Sequence, residues 1–191
     1  MIQTVIYMVR HAESKYIPGM EEARGLSDKG IKDALCVRDI LRTEEIDAFF
    51  SSPYQRAIQT VEPSAREAGE DIILIEDLRE RTLAGEDFHV PDGHFFSCKK
   101  QLYDDFHFAL PGGESSSEAQ YRGSQVILKL LEEHRGKKIA IGTHGDIMTL
   151  IMSYFNRDYD FEFWRSTTMP DVYKLAFEDK ELKQVTRCWA E

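Results

Sequence analysis

The chain has 191 residues, of which 42% are hydrophobic and 30% charged, a balance that gives one domain a full core and excludes a disordered chain. Formal net charge is −10 and there is no basic block, which argues against nucleic acid or an anionic membrane surface as partner. No apolar run reaches the roughly 18 residues of a membrane span. The Met1-Ile2-Gln3 start lacks the basic-then-apolar pattern of a signal peptide, so the expected compartment is the cytoplasm. Cys36, Cys98 and Cys188 stand alone without pair spacing, so neither a disulfide framework nor a zinc site is expected.

Strand-like and helix-like segments alternate from the N-terminus. Thr4 to Val9 reads as a buried strand. Ser27 reads as the N-cap of a helix running to about Arg42. Ala48-Phe49-Phe50 is a short second strand, followed by a helix opened by Pro53 and closed by Gly69. Ile72 to Ile75 is a third strand. The stretch from Gly85 to Gly113 is irregular, aromatic and histidine-rich, with a short helix expected over Lys100 to Phe108. Ser115 and Glu118 form a capping box for the next helix. Lys138 to Thr143 is a fourth strand. Gly145 to Phe155 is apolar nearly all round and predicts a buried helix. Val172 to Phe177 and Leu182 to Thr186 read as a terminal hairpin. The alternation predicts an α/β fold: a three-layer α/β/α sandwich with a mostly parallel central sheet, residues 1–191 forming one domain.

Chemically capable residues stand just beyond the ends of the four leading strands: Arg10-His11, Ser51 to Thr60 with Arg56, Glu80 in Leu78-Arg79-Glu80-Arg81, and Thr143-His144-Gly145-Asp146. In open α/β sheets that carboxyl edge is where ligands bind. Arginine forks at Arg10 and Arg56 suit charged phosphoryl oxygens. The helix N-terminus after Gly145 offers free backbone N–H groups. A neutral imidazole, with one nitrogen held as a donor to a backbone carbonyl, leaves the other free to attack phosphorus. A second histidine donates to the oxygens, and a carboxylate handles the leaving-group proton.

Five segments resemble, in order, the motifs of the histidine phosphatase superfamily, also called the phosphoglycerate mutase-like family. They are Arg10-His11-Ala12-Glu13-Ser14, which departs from the family's Arg-His-Gly-Glu only at Ala12, then Leu26-Ser27-Asp28-Lys29-Gly30, Ser51 to Thr60, Pro111 to Ser115, and Thr143-His144-Gly145. The resemblance implies a phosphohistidine on His11, a phosphate pocket of Arg10, Arg56 and His144 with Ser14 and the Gly145 backbone as further donors, and Glu80 as proton donor. It implies no metal and no resident cofactor, with a small phosphorylated metabolite as substrate and a monomer or homodimer as assembly. Glu13, Glu86 and Asp146 are rival carboxylates, Asp146 because another branch takes its acid directly after the second histidine. The place where mutase-branch members carry asparagine is Ile17, and the paired arginine that holds a phosphoglycerate carboxylate is missing, with Lys99-Lys100 as a substitute. These departures favour phosphomonoester hydrolysis. The alternatives are a phosphoglycerate mutase primed by 2,3-bisphosphoglycerate and, further off, a non-catalytic phosphate-binding module.

Three other patterns carry less. Cys36 and Arg42 have the spacing of cysteine-dependent phosphatases, but residues 37–41 read as helix with no glycine. Asp158, Asp160 and Glu162 resemble a calcium loop without its glycine. His89, His94 and His107 share no helical face. The aromatics Phe88, Phe95, Phe96, Tyr103, Phe106 and Phe108 read either as a satellite core or as a cap over the leaving group, residues 85–113 being the candidate cap.

Overall fold

A computed structural model describes residues 2–190. Among the described residues, six strands form one sheet in the order β3-β2-β4-β1-β5-β6. They are β1 (Gln3–Arg10), β2 (Ala48–Ser51), β3 (Ile72–Leu74), β4 (Lys138–Thr143), β5 (Asp171–Glu178) and β6 (Glu181–Arg187). The first four are mutually parallel, while β5 runs antiparallel to β1 and β6 antiparallel to β5. The mostly parallel sheet and the terminal hairpin are therefore both present.

β1 sits at the centre, and its alternation splits the core. Ile6 and Met8 point into one apolar cluster; Val5, Tyr7 and Val9 point into another. The first cluster is completed by α4 (Ser116–Glu133) and α5 (Gly145–Phe155). The second is completed by α1 (Asp28–Arg42) and α2 (Gln55–Ala68). Helices thus cover both faces, as a parallel sheet buried on both sides requires. Close approach of layers depends on two glycines. A Cβ on Gly123 would stand 2.7 Å from the Ile151 side chain of α5, and one on Gly142 would stand 2.8 Å from the Ala57 carbonyl of α2.

Caps behave as the sequence suggests. Ser27 accepts the Gly30 N–H, and Ser115 and Glu118 make both bonds of a capping box. α2 ends at Gly69, whose φ of 74° needs no Cβ to be avoided. That helix begins at Gln55 rather than at Pro53, with Tyr54 as an N-cap lacking a side-chain bond. Pro53 instead lies in a bend, the preceding Ser52 N–H still bonding to the Gly142 carbonyl of the fourth strand (2.9 Å).

The 85–113 segment departs further from expectation. Its helix, α3 (Phe95–Asp104), starts five residues before Lys100 and ends before Phe108. The polar tail Asp104-Asp105 closes it, and Phe106 turns inward to the core instead of extending the helix. The ends of the segment are pinned: Gly85 N–H donates to the Pro111 carbonyl (2.8 Å), and a Cβ on Gly113 would stand 2.3 Å from the Leu83 carbonyl. The aromatics divide, with Tyr103 in the core and Phe106 half-buried against it while Phe95 and Phe96 are exposed. One further helix, α6 (Phe161–Ser166), was not anticipated. Asp160 caps it by accepting two N–H groups, while Asp158 accepts from Asn156 and Glu162 pairs with Arg165, so the three acids at 158–162 have separate partners.

Candidate active site

The parallel register ends β1, β2 and β4 level with one another: Arg10 pairs with Thr143 and Ser51 with Gly142. A single 3-10 turn, Glu76–Leu78, carries the chain from β3 to Glu80. The segments singled out above therefore meet at one edge, around a cleft of about 790 Å³ lined by Arg10, His11, Ser14, Arg56 and Glu80 among others.

His11 is 5% exposed. Its Nδ1 lies 2.8 Å from the Ala12 carbonyl, which can only accept, so Nδ1 carries the hydrogen and Nε2 keeps its lone pair. Burial pushes the imidazole pKa down to about 3; the carbonyl contact works against this, and the charges of Arg56, Arg10 and Arg24 add to it. The ring is neutral at physiological pH. The loop beneath it is fixed by Thr60, whose Oγ1 accepts the Ala12 N–H (2.9 Å) and donates to the Arg56 carbonyl (2.7 Å). From the other side, a Cβ on Gly30 would stand 2.1 Å from the Glu13 carbonyl, so only glycine lets α1 approach. Ser27 donates to Oε1 of the Glu13 carboxylate (2.6 Å), which ties one oxygen of that rival acid to the α1 cap while Glu13 still lines the cleft.

Arg10 donates from Nη1 to the Thr167 carbonyl (3.1 Å) and Oγ1 (2.5 Å). Its guanidinium lies over Gly145, where a Cβ would stand 2.7 Å from Cζ. The glycine after the second histidine is thus space for an arginine. Arg56, 1% exposed, stacks 5.0 Å from the Tyr54 ring and reaches Glu21. His144 is fully buried beneath His11, with ring centroids 5.3 Å apart, and its Nε2 lies 2.8 Å from Ser52 Oγ. Burial first, then His11 and Arg56, hold this imidazole well below its usual range. Among the described residues, six buried nitrogens on or beside the cleft lack a hydrogen-bond partner: Arg10 Nε, Arg24 Nε, Arg56 Nε, Arg81 Nη1, Arg81 Nη2 and His144 Nδ1. Unpartnered buried donors are rare, and such a convergence marks a place built for an anion.

Glu80 lines the same cleft. Its Oε1 accepts from the N–H groups of Arg81 (2.9 Å) and Ile147 (3.0 Å), and its Oε2 from Asp146 (3.3 Å). This narrows one expectation: the N–H groups of Asp146 and Ile147 at the start of α5 are taken by the Glu80 carboxylate, as helix N-termini favour, while the Gly145 N–H is not among the groups that Glu80 accepts from. The Glu80 loop is held from behind by Arg122, which donates to the carbonyls of Asp77, Arg79 and Glu80 and forks onto Glu114. Glu114 also accepts the Thr82 N–H, which gives the Pro111–Ser115 motif its place beside the cleft.

Asp146 does not reach the cleft. It is 1% exposed; Oδ2 pairs with Lys99 and lies 3.6 Å from Arg81, and Oδ1 accepts from Tyr103 (2.6 Å). Lys99 and Arg81 hold its carboxyl below the usual range against burial, which acts the other way. Both its oxygens are committed, so it is a buried counter-ion rather than a rival acid. The Lys99-Lys100 substitute for a paired arginine fails with it: Lys99 is buried on Asp146, and Lys100 is exposed on Asp104. Glu86 lies on the cleft wall, and Ile17 is exposed and not among the cleft-lining residues. Cys36 sits on the exposed face of α1, inside a regular helix that presents no anion loop.

Sequence reasoning missed Arg24, Glu21 and Ser52 as members of this neighbourhood. Ser52 and Thr60 lay within the matched ten-residue motif, where a polar residue at a strand end or facing a loop was the available signal. Gln59, also in that motif, fastens Leu26 by accepting its N–H (2.8 Å).

Among solved structures, a mycobacterial glucosyl-3-phosphoglycerate phosphatase superposes with a TM-score of 0.77 at 17% identity, over 97% of each chain. A phosphoserine phosphatase mutant from Entamoeba histolytica, in complex with phosphoserine, superposes with a TM-score of 0.77 at 19% identity, over 95% of this chain and 96% of that one. A metal-independent phosphoserine phosphatase of Arabidopsis thaliana is 27% identical over 166 residues, 78% of this chain and 67% of the relative. The family model of the histidine phosphatase superfamily, branch 1, matches residues 6–189. The chain, whose described residues carry the sheet, the neutral His11 and the arginine-rich cleft at one edge, belongs to the histidine phosphatase superfamily.

Proposed function

We propose that the chain hydrolyses small phosphomonoesters in two steps through a phosphohistidine on His11. The observation that carries this is the neutral His11 ring, hydrogen fixed on Nδ1, set among buried arginine and histidine nitrogens that lack partners. Nε2 attacks phosphorus and the ester P–O bond breaks. Glu80, in its acid form, gives its proton to the departing oxygen; Oε2 is the oxygen for this, since it accepts one long bond and has room for another. Glu80 then takes a proton from water, whose oxygen attacks phosphorus as the N–P bond breaks. Arg10, Arg56 and His144 hold the equatorial oxygens, worth on the order of 10²-fold or more in rate for each such donor removed. The Ser52 hydroxyl, already accepting the Tyr54 N–H, donates to His144 Nε2 and leaves an Nδ1–H for the phosphoryl group.

In this reading the cationic pocket takes the part that a magnesium ion plays in kinases, and the relative named metal-independent supports it. Relatives named for phosphoserine and glucosyl-3-phosphoglycerate suggest a small phosphorylated metabolite. The segment 85–113, which puts Phe88, Val90, Phe95 and Lys99 on the cleft wall, acts as the cap that selects the leaving group. A mutase would need a carboxylate holder, and the commitment of Lys99 to Asp146 weakens that alternative. The test is phosphate release in EDTA from a panel of phosphomonoesters that includes phosphoserine and both phosphoglycerates, with His11→Ala alongside. Release by the wild type and none by the variant is expected. Equal release by both would overturn the assignment.

A further inference from the structure

The segment between Ser14 and Leu26 crosses the cleft beside His11. Its ends are fastened by a bridge between those two residues and by the Lys15 N–H on the Gly25 carbonyl (3.3 Å). Its far side is tied to α2 by the Gln55 N–H on the Glu22 carbonyl (2.9 Å). These ties place Glu21 against two arginines at once. Arg56 donates to the Glu21 backbone carbonyl. Oε2 of the Glu21 carboxylate lies 3.4 Å from Arg56 Nη2 and 3.2 Å from Arg24 Nη2.

Taken alone, Glu21 and Arg24 read as an ordinary surface pair three residues apart, worth little. Three observations set them apart. The Arg24 side chain is only 14% exposed, while Glu21 is 50% exposed, so the acid has come to the arginine. Both arginines keep a buried Nε with no partner, even with Glu21 in place. Arg24 also lines the same cleft as His11, and its charge adds to the lowering of the pKa of both His11 and His144. One carboxylate oxygen shared by two guanidinium groups beside a nucleophilic histidine is the arrangement a phosphoryl oxygen would take.

We propose that Arg24 is a phosphate-binding residue and that Glu21 holds the phosphate's place in the free protein, leaving when the substrate's phosphoryl group enters. The exchange is favourable in charge, since a dianion with three free oxygens replaces a monoanion with two, and it satisfies the Nε donors that Glu21 leaves unpaired. Glu21, already half exposed, turns into water. This rests on the phosphate-binding reading of the cleft. It accounts for an acidic side chain on an anion site as a competitor that weak anions fail to displace.

The experiment is calorimetric titration of the full chain with inorganic phosphate at fixed pH and ionic strength, for wild type, Glu21→Gln, Arg24→Gln and the double variant, with folding checked by circular dichroism. Loss of the competing charge is expected to tighten phosphate about 5-fold in Glu21→Gln, and loss of the fork to weaken it about 10-fold or more in Arg24→Gln. The Glu21→Gln gain should shrink in the double variant, because the two changes act on one contact. Unchanged or weaker binding in Glu21→Gln overturns the proposal, as does wild-type binding in Arg24→Gln. Should Arg24→Gln fail to fold, the Glu21→Gln arm decides alone. No turnover is needed, so a wild type that binds phosphate but hydrolyses no ester would count against the hydrolysis reading and leave this inference to the variants.

Discussion

Acid should destabilise this protein in a way that His11→Asn relieves. His11 titrates near its ordinary pKa of 6.5 when unfolded and near 3 when folded, chiefly because burial disfavours the imidazolium. A histidine whose folded pKa is depressed contributes stability above 6.5, and that contribution is lost as pH falls, since only the unfolded chain takes up the proton. Each such proton gives a slope of about 1.4 kcal/mol per pH unit well below 6.5. From pH 6.0 to 4.5 the unfolded ring goes from mostly to almost fully protonated while the folded ring stays neutral, so His11 accounts for a loss of about 2 kcal/mol. This window lies above most carboxylate titration, and His144, which is also depressed, remains in the variant. Urea unfolding at pH 6.0, 5.2 and 4.5 would measure it. The wild type should lose about 2 kcal/mol more than His11→Asn over this range. Parallel curves for the two proteins would refute the claim that the nucleophile is held neutral by burial.

Two further substitutions probe the supports of the site. Gly145→Ala places a Cβ 2.7 Å from Arg10 Cζ, so the guanidinium must move off the phosphoryl oxygens; kcat/KM for a simple phosphomonoester should fall about 10²-fold, and a variant with near-wild-type kinetics would show that Arg10 does not act from that position. Asp146→Asn leaves Lys99 and Arg81 without their buried counter-charge while keeping the backbone N–H that meets Glu80; equilibrium unfolding should show a loss of about 3 kcal/mol, and a loss below about 1 kcal/mol would mean the cluster is solvated.

The parts of this molecule that the sequence made legible are those governed by short-range pattern. The run Thr4–Val9, the Ser115–Glu118 box and the all-round apolar Gly145–Phe155 each declare their element within a few residues, and each is found where it was expected. The strand-end motifs were legible as a set because a parallel sheet delivers its carboxyl ends to one edge. Their internal logic was not. That Gly145 exists to admit Arg10, Gly30 to admit the Glu13 backbone, and Gln59 to hold Leu26 depends on contacts across 17 to 135 positions, which no local pattern encodes. Lys99 and Asp146, 47 residues apart, likewise read as two surface charges until the fold buries them together. Glu21 and Arg24 were overlooked because their spacing is that of an unremarkable surface pair, and only the arrival of Arg56 from α2 changes its meaning. In the 85–113 segment the helix was misplaced because Phe95 and Phe96, exposed at its start, do not follow an amphipathic period.

The most direct test of the account is to trap the intermediate. Wild type and His11→Asn would be mixed with a phosphomonoester bearing a labelled phosphoryl group, in EDTA, and quenched with base within milliseconds to seconds. The account predicts protein-bound label in the wild type that survives base, is released by acid, maps to the peptide containing His11 and is absent from His11→Asn. Rapid turnover by the wild type with no such label at any quench time, or label that persists in His11→Asn, would contradict it.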